Sequence, residues 1–203
     1  MKFTQQTNSL GQFSFGWERS EYDAFPPAEF FTADHAPTSI NSDRRAVALA
    51  LLFAPWMGDE MIAPGRIGPN TAHEIREFTN STTNHIGPIE YYPKGLPIGG
   101  SQGALFNELS EGMDFSSRAI FDLPSHEFNG ALRSMKALAV GTNSFMFKRH
   151  ERDILPSIGV AVLFAEDLGL DEIIISEQID KSTLKAVQHL LSAVRLGLSV
   201  SNS

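Results

Sequence analysis

Gly99-Gly100-Ser101-Gln102-Gly103 is the stretch whose residue types and spacing point most directly to chemistry. It satisfies G-x-S-x-G, the pattern in which a serine nucleophile sits on a sharp turn between a strand and a helix. The same glycines would let backbone N–H groups close on a phosphate at a helix N-terminus. A third reading is a glycine-rich turn with no ligand. The first two readings need a strand before the loop and a helix after it. Residues 104–109 are expected to be helical, whereas Gly95-Leu96-Pro97-Ile98 makes a poor strand. A hydrolase built on Ser101 also needs a base. His189 falls in mid-helix by pattern, and His126 and His150 fall near expected helix starts.

Two further groups carry charge. Lys148, Arg149 and Arg152 form the densest basic cluster, suited to one small phosphate or carboxylate. The loop after Ile175 holds Ser176, Glu177, Gln178 and Asp180, and ligands of open α/β sheets bind beyond the carboxyl ends of strands. The alternative for that loop is solvated acids, with Asp180 capping a helix. The dipeptide His-Glu occurs at positions 73, 126 and 150, each in the expected first turn of a helix. Such pairs suit zinc, manganese or iron, but none has the H-E-x-x-H spacing that fixes two ligands on one helical face. Glutamate's preference for the first helical turn accounts for them without a metal.

The elements that must position these groups are clearest between Arg149 and Ser176. A long apolar run closed by Gly169 and then Ile173-Ile174-Ile175 predict a buried helix feeding a buried strand. Beyond them Leu184, Val187, Leu190, Leu191, Val194 and Leu198 recur at helical steps, predicting a last helix that ends near Gly197. The fold class expected is therefore α/β, with a short, mainly parallel sheet flanked by helices in the C-terminal half. Residues 43–54 predict a helix capped by Ser42 and almost without a polar face. Residues 58–69 read as a loop broken by Gly and Pro, and Thr71-Ala72-His73-Glu74 as a capping box for a helix to Phe78. Ile86 to Tyr92 reads as an edge strand because of Pro88, Arg118 to Leu123 as a strand, and residues 126–138 as a helix capped by Ser125.

Residues 1–41 read as an extended arm, with a β-hairpin or a lone edge strand placing Phe13, Phe15 and Trp17 on one face. Residues 42–203 read as a single α/β domain. So much aromatic surface in the arm implies either that it wraps its own domain or that it docks on another subunit or protein partner.

The 203 residues carry a formal net charge of −8 and scattered basic residues, which works against non-specific nucleic-acid binding. There is no cysteine, so disulfide frameworks and Cys-ligated zinc are excluded. The first residues are polar and the longest apolar run, Ala46 to Ala54, is far short of the ~20 residues that span a bilayer. A cytoplasmic location without membrane association is expected, which would leave the Asn80-Ser81-Thr82 sequon unused.

Phe147 to Thr183 resembles the distal part of the 7-cyano-7-deazaguanine synthase family within the PP-loop ATP pyrophosphatases. The likeness runs through Arg149 or Arg152, Leu155, Ala161, Ala165-Glu166, Leu168-Gly169, Ile173 to Ile175 and Asp180, under a fifth of the chain. The family's phosphate loop, Ser-Gly-Gly-x-Asp-Ser, has only Ile98 to Gly103 as counterpart, without the first serine or the aspartate, and the family's zinc cysteines are absent. GGSQGA also resembles the diphosphate-binding loop of some nucleotide-sugar glycosyltransferases. The resemblance implies a divergent relative that keeps a nucleotide pocket for ATP or a related nucleotide with Mg. Gly99, Gly100, Ser101 and Gly103 would then cradle phosphate, Arg149 or Arg152 neutralise it, and Asp180, beside Ser176 and Glu177, position the base or a metal. The alternatives are an assembly or partner-binding protein acting through residues 1–40, and the Ser101 hydrolase.

Overall fold

The computed structural model describes residues 1–80, 83, 85–92, 95–108 and 117–201. Ser81 and Thr82 of the sequon and Leu109 lie outside them. In chain order the strands are β1 (Lys2–Thr7), β2 (Phe13–Glu18), β3 (Phe30–Ala33), β4 (Glu60–Ile67), β5 (His85–Ile89), β6 (Ser101–Phe106), β7 (Ala119–Pro124), β8 (Ala131–Arg133), β9 (Ala137–Thr142), β10 (Leu170–Ile175) and β11 (Gly197–Val200). The helices are α1 (Ser42–Phe53), α2 (Pro69–Phe78), α3 (Leu155–Phe164) and α4 (Lys181–Ser192). All strands join one sheet in the order β11-β10-β6-β7-β9-β3-β2-β1-β4-β5, with β8 paired on β9.

The expected α/β class holds, and the parallel sheet is larger than expected. From β11 to β9 every pair along this order is parallel. The pairs β9–β3, β3–β2 and β2–β1 are antiparallel, and parallel pairing resumes at β1–β4 and β4–β5. The expected hairpin is β1–β2. Its turn is closed by Asn8, whose Oδ1 accepts from Leu10 N and Gln12 N at 2.9 and 3.0 Å. Together with β3 it forms the middle of the sheet, and Phe3, Phe13, Phe15 and Phe31 are all at most 3 % exposed. These rings belong to the same core as α1 and α3.

α1 has the uniform burial that its lack of a polar face implies. It lies against α3, where Gly159 permits the approach: a Cβ there would stand 3.2 Å from Ala48 O and from Leu52 Cγ. Arg44, 1 % exposed, points from α1 to the carbonyls of Val194 and Pro97, each at 3.4 Å. Burial lowers its pKa, while the Glu166 carboxylate works in the opposite sense. The buried residues of all four helices fall in one core. Helices flank the sheet as expected, and Phe128 packs on Phe121 and its neighbours in β7 and β9 in a second, smaller cluster.

Several local expectations are corrected. Residues 104–106 are strand, because Gly103 and Leu105 alternate inward and both edges of β6 find parallel partners. Residues 60–67 form β4 rather than a loop, with Met61 and Ala63 inward and the break at Pro64-Gly65 absorbed as a register shift against β5. Ser125 to Leu138 is a turn and the β8–β9 hairpin. Ser134 Oγ accepts from Lys136 N and Ala137 N at its bend. Asn41, not Ser42, caps α1, accepting from Asp43 N at 2.8 Å. The last helix stops at Ser192, Arg195 turns the chain with φ 53°, and Leu198 is buried in β11.

Deleting residues 1–40 removes three adjacent strands from mid-sheet. The four buried phenylalanines, at roughly 1.5–3 kcal/mol each, amount to about the whole stability of an ordinary domain. The truncated chain should show no cooperative thermal transition by circular dichroism. A cooperative melt like that of the full chain would contradict this architecture.

Candidate functional site

Two chain reversals create a cleft. After β6 the chain adds β7 and then β9 on one side. α3 then carries it back across to β10 on the other side of β6, and β11 adds beyond that. The order therefore reverses between β6 and β10. Crevices at such switch points, outside the carboxyl ends of parallel strands, are where α/β sheets bind ligands. The cleft there has a volume of about 410 Å³ and is walled by Asn107 after β6, Glu177 and Gln178 after β10, and Lys148, Glu151 and Arg152 from the segment entering α3.

Asn107 Nδ2 donates to Glu177 Oε1 at 2.7 Å, tying the tips of β6 and β10 together. Asn107 Oδ1 is shielded from solvent and has no hydrogen-bond partner among the described residues. On the opposite wall, neither Lys148 nor Arg152 has a side-chain hydrogen bond or ion pair among the described residues. Asp153 fixes that wall. Its carboxylate accepts from Arg149 N at 3.1 Å, Arg149 Nε at 2.9 Å and Leu155 N at 3.2 Å. The pairing directs Arg149 into a neighbouring groove of about 470 Å³ between the end of α1, the end of α2 and the start of α4.

The wall is anchored from beneath by Asp122, a lone acid inside the apolar β7. Asp122 Oδ1 accepts from Thr142 Oγ1 at 2.5 Å and Oδ2 from Ser144 Oγ at 2.6 Å, and Ser157 of α3 adds a third side-chain bond. Burial raises its pKa, and the three hydroxyls and the charge of Lys148 offset only part of that. Phe147, in the 3-10 turn Ser144–Phe147, packs edge-on against Phe53 at 5.0 Å and Phe31 at 6.3 Å between ring centroids. Lys148 follows directly from that fixed ring.

The residues singled out from sequence fall in three places. Arg152 and Glu177 meet in the cleft. Arg149 faces the other groove, exposed Ser176 stands beside Glu177, and Asp180 is engaged as the cap of α4, accepting from Ser182 N and Thr183 N at 3.0 and 2.9 Å. Those bonds, with that of the Ser182 hydroxyl, hold the Asp180 carboxyl well below its usual range. Gly99, Gly100 and Ser101 lie at the amino end of β6, roughly 20–26 Å of chain from Asn107, and Gly103 lies within the strand, roughly 13 Å from it.

These glycines serve close packing. A Cβ on Gly99 would stand 2.2 Å from Leu170 C, one on Gly103 would stand 2.7 Å from Leu170 Cδ1, and Gly100 N already donates to Gly169 O at 3.2 Å. They run directly into β6 and not into a helix, so neither a phosphate cradle at a helix N-terminus nor a strand-to-helix nucleophile turn is formed there. Ser101 has no histidine partner among the described residues. The His-Glu pairs lie on α2, in the turn after β7 and in the turn before α3, so only the first is helical. No group of three or more His, Asp or Glu side chains among the described residues is placed to hold a metal ion.

No protein-family model, curated protein or solved structure matches this chain. The chemistry of the cleft therefore has to be read from its own side chains. No helix among the described residues is long and apolar enough to cross a membrane.

Asn107 escaped sequence reasoning because residues 104–109 read as a helix. The alternation of Gly103 and Leu105 followed by a polar residue was the available signal. For Asp122 the signal was a single acid within Ala-Ile-Phe-Asp-Leu-Pro.

A carboxyl whose folded pKa is raised favours folding at low pH and loses that contribution as pH rises from about 3.8 toward the raised value. Urea titrations across that window should show wild-type stability falling with pH relative to Asp122→Asn, which cannot titrate. Parallel pH profiles for the two proteins would contradict a raised pKa at Asp122.

Proposed function

We propose that this protein binds a small phosphorylated metabolite of nucleotide size in the cleft between the carboxyl ends of β6 and β10. The observation that carries the proposal is the placement of two cations with no side-chain hydrogen bond or ion pair among the described residues, Lys148 and Arg152, at the point where strand order reverses. A guanidinium offers a planar fork of donors to phosphate, and a lysine adds a point charge. The volume of about 410 Å³ lies within the range of small-molecule sites, about 300–1,000 Å³. The lining also carries Glu151, Asp153 and Glu177, so the pull on an anion is local to the two cations and is not a net positive charge of the cleft.

ATP or a related nucleotide with Mg fits this proposal if the ion is carried chiefly by the phosphates and water, as is usual for Mg bound with nucleotides. Distant kinship with the PP-loop group and a cytoplasmic setting belong to the same proposal. The kinship is supported by α3 and β10, the helix and strand of the resembling segment, with Arg152 before them. A binding or sensing role is favoured over pyrophosphatase chemistry because the segment matched to the phosphate loop leads into a strand at Ser101 and not into a helix.

A second role, docking of a partner or another copy through residues 1–40, is favoured by one feature. Tyr22 and Phe25 are each 71 % exposed, with Arg19 lying over the Phe25 ring at 4.2 Å.

Calorimetry with ADP, ATP with and without Mg, and pyrophosphate should give saturable binding. Arg152→Ala and Lys148→Ala should each weaken it about 10- to 100-fold, the value of a charge-assisted hydrogen bond. Arg149→Ala and Gly100→Ala should bind like wild type, since Arg149 faces the other groove and a Cβ on Gly100 meets nothing within 4 Å. Absence of binding, or binding lost only in the last two variants, would refute the proposal.

A further inference from the structure

We infer that the outer face of β1, β2 and β3 carries a second binding site, for a neutral oligosaccharide, independent of the cleft between β6 and β10. A groove of about 380 Å³ lies on that face, within the range of small-molecule sites, about 300–1,000 Å³.

The register of the three strands sets this site out in rows. Phe3, Phe13, Phe15 and Phe31 enter the core, so the residues alternating with them face outward. Thr4, Gly16 and Phe30 stand opposite one another, and Gln6, Ser14 and Thr32 form the next row. In the first row the Phe30 ring lies across Gly16, where a Cβ would stand 3.1 and 3.3 Å from Phe30 Cε1 and Cδ1. The ring is 40 % exposed, so its other side is open. Asn143 pins the strand beneath it, donating from Nδ2 to Phe30 O and accepting from Thr32 N, each at 2.8 Å. The result is a fixed aromatic plate on a flat sheet.

In the second row the amide of Gln6 and the hydroxyls of Ser14 and Thr32 make no hydrogen bond among the described residues. All three can both donate and accept. Beyond them the groove is bounded by a bonded chain, in which Asn8 Nδ2 donates to Gln12 Oε1 at 2.8 Å and Gln12 Nε2 to Asp34 Oδ1 at 3.0 Å. Among the described residues Asp34 is the one charged member of the lining, and Gly130 N also donates to its Oδ2 at 2.8 Å.

These features select a ligand by elimination. An anion meets no cation here, a cation meets a carboxylate already engaged, and a wholly apolar body would bury the polar row without partners. A pyranose ring combines a C–H side that packs on the negative face of an aromatic ring with a rim of hydroxyls that donate and accept. With strands about 4.8 Å apart, the row from Gln6 to Thr32 spans about 10 Å, room for more than one sugar ring.

Backbone-amide NMR with maltotriose, cellotriose and triacetylchitotriose as probes tests this. At least one should give saturable shifts at Gln6, Ser14 and Thr32, with the residues around Lys148 unmoved. Phe30→Ala should weaken that binding about 10-fold or more. Thr32→Val, at an exposed position and of nearly the same shape, leaves the ring in place and should weaken it about 2- to 10-fold, the value of one hydrogen bond. Amide dispersion like that of wild type shows that each variant is folded, and if Phe30→Ala is not, Thr32→Val decides. No shift with any of the three sugars, shifts centred on another face, or unchanged binding in either folded variant would overturn the site.

Discussion

A carboxyl group closed off from water at the end of β7 holds the functional end of this molecule together. Asp122 gathers the hydroxyls of Thr142, Ser144 and Ser157, so one side chain joins β7 to the end of β9, the 3-10 turn and α3. An acid in that position is unfavourable unless its oxygens are satisfied, and the three hydroxyls are the local answer. Phe147 clamps the same turn from the core side through Phe53, Phe31 and Trp56. The backbone that carries Lys148 and Arg152 is held between these two anchors, and Asp153 engages Arg149 beside them.

The second constraint is topological. The return from β9 to β10 through α3 makes β6 and β10 neighbours whose successors diverge, and the space between the divergent loops becomes the cleft. Close contact between those strands at their amino ends is what the glycines provide, since Leu170 occupies the space where side chains of residues 99 and 103 would lie. One sequence feature therefore works for the site without touching it. Its role is to seat β10 beside β6, and the ligand-facing groups stand at the far end of the same strands.

Much of this order was legible in the chain. The apolar run of α3, the Ile173 to Ile175 strand, the Asp180 cap and the alternation of Phe13 and Phe15 each have a period or a cap that only one element satisfies. Arg152 and Glu177 could be named because their positions relative to a strand end follow from those elements. The rest was set by partners distant in sequence. Gly99 to Gly103 has the local chemistry of a turn, and pairing with β10 is what draws Ser101, Gln102 and Gly103 into β6. Residues 126–138 contain helix formers, yet β9 needs a hairpin neighbour and Gly130, at φ 105°, begins it. β11 follows the last helix because Leu198 and its neighbours complete the edge of β10. Asn107 was hidden by the same misreading that turned β6 into a helix.

The central claim is that ligands enter between the carboxyl ends of β6 and β10, and backbone-amide NMR during titration with ADP tests it most directly. The account predicts saturable shifts concentrated at Asn107, at residues 148–154 and at Glu177 and Gln178, with Gly99 to Gly103 nearly still. Shifts centred on Gly99 to Gly103, with the β6 and β10 tips unmoved, would contradict it.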